Sequence, residues 1–356
     1  MIKNKNKINK KGSVLILVFW ALGLLTVFAI YLGFGSRTKI DFLDRMAVRS
    51  KTFYLAQAGI KQAIAGIGNI DKKKSYISLN DICSNKDKMF SQIEFDGAVV
   101  HLGYEYSGNN FSSGGDITQT MYGVFDEQSK LNINTVERKE LISLLVETSD
   151  LNFDRADEIA SAIIDWRDEN FMSLAKGAED KYYHSLQNSY ECKDYEFETI
   201  EELRYVKGMD YNIFIEIEPY ITVYSSGLIN INTASSNVLK ALGLSDKLID
   251  KILSFRCGDD EIETTDDDKI FENISSSVAI LSQSISLSAS EVAQLSNLVA
   301  SGRFTVFSNK FLIQSQANLK NSNDVCRIKC IFEKDMNEDA IKPGFILSWR
   351  MGYLKR

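Results

Sequence analysis

The side chains best suited to chemistry are carboxylates. Asp165, Asp168, Glu169, Glu179 and Asp180 bracket a polar loop that runs between the segments DWRDE and AEDKYY. Hard oxygen donors on an irregular loop suit Ca²⁺, which takes about six to eight oxygens and tolerates uneven geometry. Their spacing is not that of an EF-hand loop. A plainer reading is a solvated acidic loop in which Asp165 faces Arg167 or Arg204. Asp126 and Glu127 form a second carboxylate pair, but at the end of a strand and just before SKLNINT they read as caps of a turn.

Other catalytic patterns are missing. His101 and His184 are the two histidines, and neither belongs to an HExxH helix or a nucleophile elbow. No GxxxxGK[ST] phosphate loop occurs. Cys83, Cys192, Cys257, Cys326 and Cys330 are scattered, with no CxxC knuckle for zinc. Cys326 and Cys330 share one apparent strand, where four residues span about 13 Å, too far for a mutual disulfide. Any disulfide is therefore long-range, and at least one thiol stays outside intramolecular pairing. The chain reads as a non-enzyme.

These groups need a scaffold, and 356 residues with 44% apolar content can supply two or three packed domains. Residues 91–107 alternate as two short strands around Asp96-Gly97, a hairpin signal, and the loop SGNNFSSGGD follows. TQTMYGVFDEQSKLNINT predicts another strand ending in a polar turn. From about Val136 to Ile217 the period becomes helical, in LISLLVE, ADEIASAIIDWRD and IEELRYVKGM. YITVY predicts a strand, SSNVLKALGL and DKLIDKILSFR helices, and residues 259–290 an irregular acidic and serine-rich crossing. A helix then starts near Ser288 with a capping box to Glu291. FTVFS, FLIQSQA, VCRIKCIF and FILSWRM predict closing strands. The layout implies an α+β body with an inserted helical domain.

A repeat lies inside the helical part. LNINTVERKELISLL at 131–145 matches LININTASSNVLKAL at 228–242, and each is followed by a helix ending in Trp-Arg or Phe-Arg, giving units 131–167 and 228–256.

The N-terminus is of another kind. Ser13–Ser36 carries no charge and, as a helix, extends about 36 Å, enough to cross a bilayer. Val14, Leu15, Leu17, Phe19, Trp20 and Leu24 are its membrane-anchoring side chains. Lys3, Lys5, Lys7, Lys10 and Lys11 precede it without an acid, which holds that end in the cytoplasm. A cleaved secretory signal ending at Gly33-Phe34-Gly35 is the alternative, but its apolar region runs only about 7–15 residues. Beyond Arg37, Leu43, Met46, Ala47, Phe53, Tyr54, Ile60, Ile64 and Ile67 keep helical spacing, so one long helix is expected to leave the membrane and dock on the body. Net charge is −7, and about −12 beyond the five N-terminal lysines, so nucleic acid is not expected as a partner.

KKGSVLILVFWALGLLTVFAIYLG resembles a class III prepilin leader. The resemblance implies cleavage by prepilin peptidase between Gly12 and Ser13, followed by methylation of the Ser13 amine. Leu17 stands where most pilins carry glutamate, whose proposed partner is the N-terminal ammonium of a subunit laid down earlier. A subunit at the tip has no such neighbour, and a non-pilin anchor fits Leu17 equally well. DEQSKLNINT, AIIDWRDE, KGAEDKYY, IEELRYVKGM, PYITVYSSGLININTA, FTVFSNKFLI and ILSWR together resemble the minor pseudopilin K family of type II secretion.

That resemblance implies a leader at 1–12, a transmembrane helix at 13–36, and a pilin-like helix with the first strands at 37–125. An inserted all-α domain follows at 126–300, with two repeats of SAM or helix-hairpin-helix type, and the last strands of a small antiparallel sheet lie at 301–356. It also implies calcium in the helical domain, for which the five carboxylates are candidates. The expected partners are minor pseudopilins I and J, other pseudopilins of the same system, prepilin peptidase and the inner membrane. The body is expected in the periplasm, helping to start the pseudopilus and export folded proteins. A tip pilin of a type IV pilus shares this anchor. A membrane-tethered helix-hairpin-helix DNA receptor is the other alternative, but ETSDLNFDRA and GLSDK lack its glycine-rich, basic hairpin.

Overall fold

No proline interrupts the chain from Lys11 to Asn69, and in the computed structural model that whole stretch is one helix, α1 (Lys11–Asn69), about 88 Å long at 1.5 Å per residue. The structure describes residues 11–71, 74–83, 93–95, 97–110, 115–320, 322, 324–337 and 343–355. Lys3, Lys5, Lys7 and Lys10 lie outside the described residues. The chain continues through α2 (Leu79–Ile82), β1 (Ile93–Phe95), β2 (Ala98–Asn110), β3 (Gly115–Tyr122), β4 (Phe125–Asp126), β5 (Leu131–Asn132), α3 (Arg138–Ser149) and α4 (Phe153–Arg167). Then come α5 (Asp180–Tyr183), α6 (Tyr211–Ile217), β6 (Ile221–Thr222), β7 (Ile229–Asn230), α7 (Ser236–Ala241), α8 (Asp246–Arg256), α9 (Ser277–Ser284) and α10 (Ala289–Ala300). The chain closes with β8 (Phe304–Thr305), β9 (Lys310–Leu319), β10 (Asp324–Lys334) and β11 (Gly344–Lys355).

The main sheet is antiparallel in the order β1-β2-β9-β10-β11, with β3 on β2 and β4 on β9. On β9 the period-2 pattern buries Phe311, Ile313, Ser315 and Ala317. Against them lies the C-terminal part of α1, through Thr52, Ala56, Gly59, Ile60, Ala63 and Ile67. These residues are mostly small, and closeness is the reason: a Cβ on Gly59 would collide with Ser315 Oγ and come within 2.8 Å of Val100. Leu43, Met46 and Tyr54, expected on the docking face, are exposed. The helix meets the sheet from Arg49, which contacts Tyr353 of β11, and packs on it from Thr52 onward, so Leu43, Met46 and Tyr54 are left facing outward.

The expected hairpin forms, with Phe95 opposite Ala98 and Gly97 at φ +70°; Asp96 lies outside the described residues. The expected SGNNFSSGGD loop is mostly ladder, because β2 and β3 continue to Asn110 opposite Gly115. Each further rung satisfies backbone groups whatever the side chain. Residues 111–114 lie outside the described residues. YITVY and FTVFS shrink to the two-residue strands β6 and β8. The expected irregular crossing at 259–290 contains α9, whose serines carry weak helical signal and whose burial rests on Ser277 and Leu281. The capping box at Ser288 and Glu291 is present.

Two apolar cores result, one between α1 and the sheet and one inside the helical insertion. The insertion core includes Phe304 and Val306, so the insertion runs past residue 300 and the sheet core resumes at Phe311. Within the insertion the sequence repeat corresponds to repeated contacts. β5 pairs in parallel with β6, and β7 with β8. Asn134 bonds both backbone groups of Phe197 (3.0 and 2.8 Å), and Asn232 both of Phe271 (2.9 and 2.9 Å). Arg167 donates to Val136 O at 2.7 Å and Arg256 to Ala234 O at 2.6 Å. The arginine that ends each long helix therefore ties it to the turn that opened its unit.

The insertion leaves and rejoins the sheet side by side, since Asp126 pairs with Phe311 and Phe125 with Leu312. At this seam the buried Asp126 carboxylate accepts from Gln128 N (2.8 Å), Asn230 Nδ2 (3.1 Å), Thr233 Oγ1 (2.5 Å) and Ser308 Oγ (2.6 Å). Burial outweighs these four bonds and pushes its pKa up to about 6. Asp126→Ala strands four donors and is expected to cost about 3–5 kcal/mol, read by urea unfolding. Asp126 binds its proton more readily folded than unfolded, so its contribution is greatest below about pH 4 and is lost as pH rises through 6. Asp126→Asn should flatten that part of the pH profile; an unchanged slope would show that another group sets it.

Candidate functional site

Two features stand out, an apolar stem and a buried acidic pocket. The stem is α1 before Thr52, about 57 Å of helix from Val14 to Lys51, whose contact with the body among the described residues is at its end, where Arg49 O accepts from Tyr353 Oη of β11 (3.2 Å) and the Arg49 guanidinium lies over that ring. Gly12 and Ser13 lie in its first turn. Val14, Leu15, Leu17, Phe19, Trp20 and Leu24 are all exposed, Trp20 at 74%. Each forfeits about 1.5–3 kcal/mol if left in water, so these six alone forfeit roughly 10 kcal/mol. The stem is long and apolar enough to cross a membrane. Beyond the charge-free stretch, Ile40, Phe42, Leu43 and Met46 keep an apolar surface exposed among Arg37, Lys39, Asp41 and Arg45.

The pocket forms where α4 ends. Asn152 caps the start of α4 by accepting from Arg155 N, and Ala156, Ile159, Ala160, Ile163 and Trp166 bury one face. Asp165, in the last turn, is fully buried and accepts from Leu174 N (3.1 Å), Ala178 N (2.7 Å) and Ser173 Oγ (3.1 Å). It thereby folds the loop after α4 back onto the helix. That return places Glu179, the residue before α5, beside the segment YECKD at 190–194. Cys192 N donates to Asp180 at 2.7 Å, which fixes that segment.

One oxygen each from Glu179 and Asp194 and the Cys192 sulfur lie within 4.8 Å of one another. Glu179 is 7% exposed, yet among the described residues neither of its oxygens has a hydrogen-bond partner, and Asp194 Oδ1 is likewise buried without one. Burial first, then the charges of Asp194, Asp165 and Asp168, push the Glu179 pKa up to about 7. Burial also raises the Cys192 thiol. Trp166 and Tyr183, packed edge to face at 5.1 Å, stand beside the pocket.

Residues 127–226, which include this pocket, match the family model described as type II secretion system (T2SS), protein K. This segment is similar to protein K. Curated relatives agree: the chain is 28% identical over 155 residues to type II secretion system protein K of Pectobacterium carotovorum subsp. carotovorum, covering 37% of this chain and 46% of the relative. It is 24% identical over 121 residues to the Klebsiella pneumoniae protein (31% and 37% covered) and 33% over 79 residues to that of Aeromonas hydrophila (21% and 24%). The matched part therefore spans under half of each relative. A chain in the crystal structure of the GspK-GspI-GspJ complex from enterotoxigenic Escherichia coli shares the fold, with TM-score 0.60 and 16% identity over 85% of this chain and 96% of that one.

The five expected ligands do not converge on one point. Asp165 and Asp180 are engaged with backbone donors, Asp168 accepts from Asn170 N and Nδ2, and Glu169 is exposed. Asp165 faces neither Arg167 nor Arg204, because Arg167 is turned to the carbonyls of Ile133 and Val136. Only Glu179 enters the assembled group, and its companions Cys192 and Asp194 were missed. Their two-residue spacing, Cys-x-Asp, was the available signal. All five cysteines are buried and free. His184 is exposed, and His101 lies on β2 in the sheet. Asp126 caps the turn as expected.

A Cβ on Gly177 would strike the Asp165 carboxylate. Gly177→Ala is therefore expected to destabilise the domain by about 1–3 kcal/mol. Thermal unfolding checks this, with Gly352→Ala, where nothing lies within 4 Å of the new methyl and, as at Gly177, φ is not positive, as the control for an added methyl alone.

Proposed function

We propose that this chain is a minor pseudopilin of type II secretion, held in the inner membrane by α1 with its N-terminus cytoplasmic and its body periplasmic. It sits at the pseudopilus tip, where it helps to start assembly and so export of folded proteins. The observation that carries this reading is the pairing of an unpacked apolar stem with an insertion, similar to protein K, hung from a sheet. The stem supplies surface for neighbours and lipid. The insertion is too bulky to be buried inside a fibre of repeating subunits. Leu17 supports a starting position, because it needs no ammonium partner from an earlier subunit. The role is assembly rather than bond chemistry.

Prepilin peptidase is the proposed processing enzyme, cutting between Gly12 and Ser13. Minor pseudopilins I and J are the proposed partners, as the composition of the solved complex suggests. The Glu179 pocket is the proposed seat of a divalent cation, calcium being the ion implied by the family resemblance.

Intact mass and N-terminal analysis of membrane-extracted protein, with and without prepilin peptidase, test the processing. The expected product begins at N-methylated Ser13 only when the peptidase is present; an uncut chain, or one starting near Ser36, would overturn the reading. A pull-down tests the partners. Leu43→Glu with Met46→Glu should abolish capture of I and J while leaving the thermal midpoint of the body unchanged, since both side chains are exposed in the isolated chain. Undiminished capture would remove the stem from the interface.

A further inference from the structure

The donor set in the pocket does not suit the cation that the carboxylates alone suggest. Calcium requires about six to eight oxygens and does not favour sulfur. Of the carboxylates here, Asp165 and Asp180 serve backbone amides and Asp168 accepts from Asn170, whereas the two oxygens of Glu179 and Oδ1 of Asp194 are buried without partners among the described residues. The third member of the group is a thiol. We propose that the pocket of this chain takes a borderline-soft divalent cation of the zinc type, bound by the Cys192 thiolate together with the Glu179 and Asp194 carboxylates. This rests on reading the pocket as a cation site, and specifies which cation it selects.

Three observations support it independently of the acidic character of the region. Glu179 is buried and aimed at the group with both oxygens unpartnered, a costly arrangement that a bound cation would relieve. Cys192 is held in place through its own amide by Asp180, and its sulfur stands 3.9 Å from Asp165 O, on the inner wall of the pocket. The three donor atoms lie within 4.8 Å of one another. Tetrahedral zinc, with bonds of about 2.0–2.3 Å, spaces its donors about 3.3–3.8 Å apart. The donors therefore stand within about 1.5 Å of that spacing.

Binding balances simply. The Cys192 thiol releases its proton to solvent as the sulfur–metal bond forms, and so does any protonated carboxyl among the ligands. Two carboxylates and a thiolate then face a doubly charged ion, and one tetrahedral position is left for water.

The test uses the full-length protein in detergent under reducing conditions, with Zn²⁺, Co²⁺ and Ca²⁺ added separately. Zn²⁺ should raise the thermal midpoint and bind at least about tenfold more tightly than Ca²⁺. Co²⁺ should give a thiolate charge-transfer absorption that Cys192→Ser abolishes. Asp194→Asn keeps the thiol and suits the left-handed backbone at φ +49°; it should weaken Zn²⁺ about tenfold while the Co²⁺ band remains. Stabilisation by Ca²⁺ without a Zn²⁺ preference, or Zn²⁺ binding unaltered by Cys192→Ser and without a Co²⁺ band, would overturn this inference and leave the cation reading intact. If no cation shifts the midpoint of the native protein, both fall.

Discussion

An insertion this large can hang on a small sheet only if its two ends meet, and the pairing of β4 with β9 makes them meet. Entry and exit run antiparallel as neighbouring strands, with Asp126 opposite Phe311, so the separation of the ends is fixed at one strand spacing, about 5 Å. The sheet then needs no distortion to carry the extra chain. Asp126 makes the joint specific. Its carboxylate gathers donors from the turn before the first repeat, from the opening turn of the second and from Ser308 on the return path. A buried carboxylate satisfied on several sides is costly to place and more costly to disturb, which favours one seating of the insertion over any slipped alternative.

The two repeats explain why such a joint is available. In each, the first asparagine of the NINT turn accepts from the amide of the second, Asn132 from Asn134 N and Asn230 from Asn232 N. That frees a side-chain amide to act elsewhere. In the first unit Asn132 donates to Ser225 O within the insertion. In the second, Asn230 donates to Asp126, Ser308 and Ile77 O, out of the insertion and into the seam. The same local turn thus closes one unit internally and attaches the other to the body, and the difference lies only in what stands opposite the amide.

What the sequence disclosed follows from the range of the interactions involved. The stem was legible because freedom from charge over the bilayer span is a property of the chain itself. The Ser288 capping box and the hairpin at Gly97 were legible because their partners lie within a few residues. The repeat was visible, but the reason for its terminal arginines was not, since Arg167 and Arg256 reach turns that the sequence places far away. The same limit hid the pocket. Acidic composition pointed to Asp165 and Asp180, whereas folding commits both to backbone amides and brings Glu179 against Cys192 and Asp194. The docking face of α1 was misjudged for a related reason: hydrophobicity marked Leu43 and Met46, while close approach to the sheet selected Ala56, Gly59 and Ala63.

The distribution of uncovered apolar surface separates what this molecule completes alone from what it leaves to others. In the insertion and against the sheet, large apolar side chains close two cores, and the polar groups between them mostly find partners. Along the stem the same kinds of side chain stay open for the full length before Thr52. A helix cannot bury a surface on all sides against one small sheet; among the described residues the face from Arg49 to Ile67 has the sheet to meet. The earlier part therefore depends on lipid and on neighbouring helices. Because the docked part is fixed by close contact at Gly59 and the insertion by Asp126, any neighbour that grips the stem also sets the direction in which the insertion points.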